Sequence, residues 1–178
     1  MKPDFSGYAS KANLLCSDGR TIKPHAFKGN DGKRVPLIWH HGRNDPKNVL
    51  GYAEIEDRPD GAFVRGGVVA LFADPAGRHL RQLRQGQEAV EHGDVDALSI
   101  FADKLVHNGA DVVKGRIQEV SLVISGANPG ASIQNITISH SDGMIEERES
   151  EAIIFTGLNF EHSDSSDESE EDDTDLEH

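Results

Sequence analysis

The sequence predicts a mainly β domain of the α+β class, a β-barrel being the simplest architecture, followed by an acidic tail. Three observations carry that expectation. Short apolar runs of strand length recur between clusters of Gly, Pro, Asn and Asp as far as residue 138. A single stretch, after Asp74-Pro75, shows helical spacing instead. Residues 145–178 hold 14 acidic residues against one basic residue, Arg148.

Taken in order, "DFSGYAS" (4–10) reads as a first strand, with Gly7 permitting a bulge or a close approach of another backbone. "CSDGRTIKPHAF" (16–27) carries a turn at Asp18-Gly19 and a further restriction before Pro24. "GNDGKR" (29–34) is a second turn and opens a strand ending at His41. "GRNDPKN" (42–48) is a loop of turn-favouring residues. Two strand-like runs follow, around 49–57 and 62–72, with "RPDG" (58–61) as the hairpin turn between them.

Asp74 reads as an N-cap, with Pro75 at the first helical position. Ala76, Leu80, Leu83 and Val90 recur at helical spacing, and Gly93 is placed to end the helix. Strands near 97–106, 112–124 and 131–138 come next, separated by "VHNGAD" and "SGANPGAS". Mostly strands, one helix and many turns give a barrel or an α+β domain.

The expected organisation is a domain over 1–144, a linker or docking segment over 145–160 and a disordered acidic tail over 161–178. Within the second, "EAIIFTGLNF" (151–160) reads as a short strand or a partner-docking motif. "EHSDSSDESEEDDTD" (161–175) is too polar to bury the surface that ordering requires. Leu176, Glu177 and His178 resemble the start of an affinity tag and carry no functional weight.

Charge and composition exclude several classes. Residues 1–144 hold 17 basic and 17 acidic side chains, so the folded part lacks the net basic face that phosphate backbones require. No apolar run approaches the ~18–20 residues of a membrane span, and the N-terminus lacks the apolar core of a signal peptide. Cys16 is the only cysteine, which leaves no intrachain disulfide and no thiolate cluster. A soluble cytosolic protein is expected.

Three segments hold residues that could cooperate chemically. The first is His40-His41, which closes a strand-forming run. In a strand over 35–41, Val35, Leu37, Trp39 and His41 share one face while His40 joins Ile38 on the other. The two histidines therefore cannot serve one site unless the chain bends between them. The second is Ser99 in the apolar run "DALSIFA", where a serine is ordinarily a packed structural residue. The third is Glu119 in "IQEVSLV", a carboxylate that must face solvent, pair with a cation or act chemically. A metal centre is poorly supported: His40-His41 lacks the spacing of a helical ligand pair, and His79, His92 and His107 are scattered. There is no glycine-rich phosphate loop and no G-x-S-x-G elbow.

Order and spacing add a resemblance. "FSGYAS", "DGRTIKPHAF", "VPLIWHHGRNDPKNVLG", "HGDVDALSIFA" and "IQEVSLVISGANPGASI" resemble, in that order and over residues 4–138, the tailed-phage prohead protease family. That family is similar in fold to herpesvirus assemblin, a β-barrel flanked by helices with a serine–histidine centre. The resemblance implies a serine endopeptidase that cleaves scaffold and major capsid proteins, and itself, during prohead maturation. It would act inside the assembling prohead in the bacterial cytoplasm and need no cofactor or metal. The analogy with assemblin extends to a homodimer, for which no residue here speaks.

Carried over by position, the family's histidine falls on His41 and its nucleophile on Ser99. Glu119 occupies the acidic position of its motif. In those roles a serine hydroxyl needs a base to take its proton. An imidazole, titrating near ~6.5 as a free side chain, serves as that base, and a carboxylate on its other nitrogen fixes the tautomer. Two positions depart from the family: Gly42 stands where many relatives have Asp, and Phe101 where many have Gly. These departures bear on activity more than on fold, so a catalytically silent assembly or scaffold-binding module is the competing expectation.

Overall fold

Strands and helix follow the apolar runs in the computed structural model, which describes residues 4–68, 78–139 and 144–149. In chain order the elements are β1 (Phe5–Lys11), β2 (Thr21–Ile22), β3 (Arg34–Trp39), β4 (Val49–Arg58) and β5 (Gly61–Val68). After these come α1 (Arg78–Glu91), β6 (Ala97–Asn108), β7 (Asp111–Val123), β8 (Ile133–Ser139) and β9 (Ile145–Glu149). Residues 69–72 of the second strand-like run, the Asp74-Pro75 cap and Ala76 lie outside the described residues. So do the expected docking segment at 151–160 and the acidic tail.

Local chemistry accounts for the boundaries. The "RPDG" turn pairs Arg58 with Gly61 and closes the β4–β5 hairpin. Helix α1 stops where Gly93 adopts φ +77°, and the Gly93 N–H bonds back to the Val90 carbonyl at 3.2 Å. Strand β1 lies between β5 and β8, and Gly7 pairs with Ile133 of β8. A Cβ on Gly7 would lie 2.1 Å from the Ser132 carbonyl oxygen, and the register shifts between Ser6 and Gly7.

The strands form one mixed sheet. Its ladders run β9-β8-β1-β5-β4-β3-β7, and β7 pairs antiparallel with β6 on its other edge. Strand β7 also takes β2 and β3 as parallel partners, at residues 111–112 and 120–122 respectively. Between those two ladders the Asn30 side chain substitutes for a strand. Its Nδ2 donates to the Ile117 carbonyl at 2.9 Å, and its Oδ1 accepts from the Ile117 N–H at 3.0 Å. This edge of β7 is thereby held at 111–112, 117 and 120–122.

The expected barrel is not closed, and α1 is the one α-helix among the described residues. The two ends of the ladder path meet only where β6 begins. There an isolated bridge joins Ala97 to Ser132, and the Leu98 N–H donates to the Ala131 carbonyl at 3.1 Å. Beyond this point β1 and β6 do not pair, and a cleft lies between them. The core is the concave interior of the sheet, where Phe5, Leu37, Leu50, Ile55, Leu98, Ile117, Leu122 and Ile133 are fully buried.

Two further corrections concern strand ends. The strand expected to reach His41 stops at Trp39, because His40 and His41 both adopt left-handed backbone conformations, φ +46° and +56°. Strand β9 was not expected from its pattern: "IEERE" is exposed at every position, so no alternation marks it. It pairs antiparallel along β8 nonetheless.

Candidate functional site

The β6–β7 hairpin places the first residues. Ser99 stands opposite Ser121, and Phe101 opposite Glu119, so these four side chains share one face. On the other edge of β7, Ile38 pairs with Ser121 and adds β3 to the same face.

The bend after Trp39 then brings in the histidine. Straight continuation of β3 would put His40, two residues after Ile38, on the face of Ser121 and leave His41 on the opposite side. The two left-handed residues reverse this. His40 N–H donates to the Leu122 carbonyl at 3.0 Å, and Gly42 N–H donates back to the Trp39 carbonyl at 2.9 Å. His40 is left exposed, its ring edge-on to Trp39 with centroids 5.0 Å apart. Non-glycine residues with positive φ are uncommon, and two in succession persist only where neighbours hold them. Here the Asn48 amide helps, donating to the Gly42 carbonyl at 2.8 Å. A Cβ on Gly42 would come within 2.2 Å of that amide, so a larger residue there would have to displace the Asn48 side chain.

The result is a continuous hydrogen-bond chain. His41 Nδ1 lies 2.6 Å from Glu119 Oε1, and His41 Nε2 lies 3.0 Å from Ser99 Oγ. A carboxylate can only accept, so the imidazole proton sits on Nδ1 and Nε2 is the acceptor for the Ser99 hydroxyl. The three residues singled out in the sequence are thus joined, from chain positions 58 and 78 residues apart. His41 keeps 39% of its side chain exposed while Glu119 keeps 2%. The acid is buried, the base reaches solvent, and Ser99 is half-buried between them.

A buried carboxylate must be compensated. Glu119 Oε1 accepts from His41 Nδ1 and from the Ser121 hydroxyl at 3.1 Å. Ser121 Oγ in turn accepts the His41 backbone N–H at 3.2 Å, so one hydroxyl ties the acid to the backbone of the base. Glu119 Oε2 has no hydrogen-bond partner, but Arg43 Nε stands 3.8 Å away. The Arg43 guanidinium rests on the Phe101 ring, 3.5 Å from its centroid, a cation–π contact. Phe101 therefore supports a cation beside the acid.

Sequence reasoning missed Ser121, Arg43 and the support role of Phe101. Ser121 had a signal, since it lies two residues from Glu119 on one strand and so on one face. Arg43 had none, because its placement depends on the bend. At the lone thiol, burial pushes the Cys16 pKa up, against the Asn128 hydrogen bond that lowers it. Beside Ser99, the cleft between β1 and β6 has a volume of about 210 Å³.

Chemically, such an arrangement can pass the Ser99 proton to His41 Nε2 as the hydroxyl attacks an electrophilic carbon. The resulting imidazolium would be stabilised by the Glu119 carboxylate on Nδ1.

No protein-family model matches the chain, and no curated protein does. Among solved structures it is similar to KSHV protease, crystallised in complex with a hexapeptide phosphonate inhibitor. The identity is 16% and the TM-score 0.49, over 72% of this chain. The match spans 62% of the KSHV protease chain.

Proposed function

We propose that this protein is a serine endopeptidase in which Ser99 is the nucleophile, His41 the general base and acid, and Glu119 the group that orients and stabilises His41. The observation that carries the reading is the hydrogen-bond chain Ser99–His41–Glu119, at 3.0 and 2.6 Å, built on a buried carboxylate and an exposed imidazole. Ser99 Oγ would attack the scissile carbonyl while His41 takes its proton. His41 would then protonate the leaving amine, and water would release the acyl group by the same steps in reverse. The order of the sequence motifs extends the proposal to phage prohead maturation, with scaffold and capsid proteins as substrates.

The test is covalent. Incubation with a fluorophosphonate is expected to add one adduct to the intact mass, lost in both Ser99→Ala and His41→Ala. Absence of any adduct on folded protein would overturn the reading and favour the silent assembly module.

A further inference from the structure

We infer that the cleft beside Ser99 receives an uncharged, apolar substrate side chain of leucine to phenylalanine size, next to the bond that is cut. This deepens the serine-endopeptidase reading and rests on it. The position follows from the sheet. Past the bridge at Ala97, β1 and β6 leave a gap, and Ser99 with Phe101 forms one wall of it. Ile22, Phe27, Ile100 and Leu105 supply apolar lining. Phe27 and Leu105 meet over Gly115, where a Cβ would lie 2.7 Å from both, so the backbone of β7 sets the depth of this floor.

Volume and charge decide what fits. At about 210 Å³ the cleft exceeds the ~150 Å³ of an apolar protein cavity that binds benzene, so an alanine methyl would leave most of it empty. The charged residues on its lining, Asp18 and Arg20, are bonded to each other, with Arg20 Nε donating to Asp18 Oδ2 at 2.9 Å. Cys16 lies in the lining with a thiol pushed up by burial, and is uncharged. The Asn128 amide is committed: it donates to the Lys11 carbonyl and Cys16 Sγ, and accepts from the Lys11 and Gly130 N–H groups. What remains is the Ser10 hydroxyl, buried and without a hydrogen-bond partner. One hydroxyl does not replace the hydration shell of an ammonium or carboxylate, so a charged side chain is disfavoured.

The experiment compares diphenyl phosphonate reagents carrying Ala, Leu, Phe, Glu or Lys side chains, with Ser99 adduct formation followed by intact mass on the full chain. The Leu and Phe reagents are expected to react at least about ten-fold faster than the other three, the scale on which an apolar pocket discriminates. Ala102→Phe, which fills the cleft, should collapse that preference. Leu105→Ala, which enlarges it, should move the preference from Leu toward Phe, and serves if the first variant does not fold. Equal rates across the series, or fastest reaction with Glu or Lys, would overturn the inference. If such a flat series accompanies normal fluorophosphonate labelling, the peptidase reading stands and the cleft assignment alone fails. If no phosphonate reacts while the fluorophosphonate labels normally, the cleft assignment alone fails, and if the fluorophosphonate also fails, both fall together.

Discussion

At His41 the backbone does the aiming. Two consecutive left-handed residues exchange the faces that β alternation would give His40 and His41, and the imidazole then meets a carboxylate already fixed in β7. Alternation within the sequence could say that only one histidine serves the site; the bend that selects His41 is set by Asn48, Ser121 and Leu122, none of them adjacent. Ser121 is the residue whose effect can be isolated, because its hydroxyl hydrogen-bonds Glu119 and the His41 backbone, whereas Ser99 Oγ bonds the His41 ring. A hydrogen bond of this kind contributes about 1 kcal/mol, so Ser121→Ala should slow fluorophosphonate labelling by roughly five-fold. Glu119→Gln presents an amide to Nδ1 and favours the wrong tautomer. Its labelling rate should fall by about 10³–10⁴-fold, and second-order rates for both variants on folded protein check the order.

Among the elements, β7 is the one whose edges are most fully occupied, by β6 on one side and by β2, Asn30 and β3 in succession on the other. Its apolar run is legible in the sequence because it is buried on both faces. Its partners are not, because a parallel partner lies some 80 residues away and leaves no local trace. The turn at 29–34 reads as a loop, and nothing in it announces that Asn30 plugs a sheet edge. Replacing that amide orphans the N–H and carbonyl of Ile117 in a fully buried setting. Asn30→Ala is expected to destabilise the fold by about 2–4 kcal/mol, which a urea melt with unchanged slope would register. The helix end was legible for the opposite reason: Gly93 satisfies a purely local requirement for positive φ.

For the whole molecule, the acidic excess was read easily from composition, whereas the failure of the barrel to close was not. Closure depends on how far β1 and β6 separate after one bridge, a distance that no run of residues encodes. The same sheet joins Asp4, at the start of β1, to the end of β5, where its carboxylate accepts the Val68 N–H at 2.6 Å. Burial raises the Asp4 pKa, the Val68 hydrogen bond opposes this, and the nearby Glu91 charge adds to the rise. A carboxyl raised in the folded state contributes stability that is fully present below its unfolded value of ~3.9 and is lost as pH climbs through the folded one. Asp4→Asn keeps an oxygen for Val68 and removes that loss. Its Tm advantage over the parent should therefore be absent near the unfolded value and grow as pH rises from there toward neutrality, as thermal melts across that range would show.

The hairpin of β6 and β7 turns at Gly109, so Ser99 and Glu119 come together by local zipping. His41 joins them only when β3 docks in parallel register on β7. Hairpins form in roughly 1–10 μs, while pairing across such separations is slow because the intervening chain must first be ordered. If Ser99 and His41 act as proposed, a nascent or partly refolded chain would thus carry its serine without a base. On the proposed peptidase reading, the assembly sequence of the sheet would act as a timer, keeping the hydroxyl inert while the chain's own unfolded segments are still within reach.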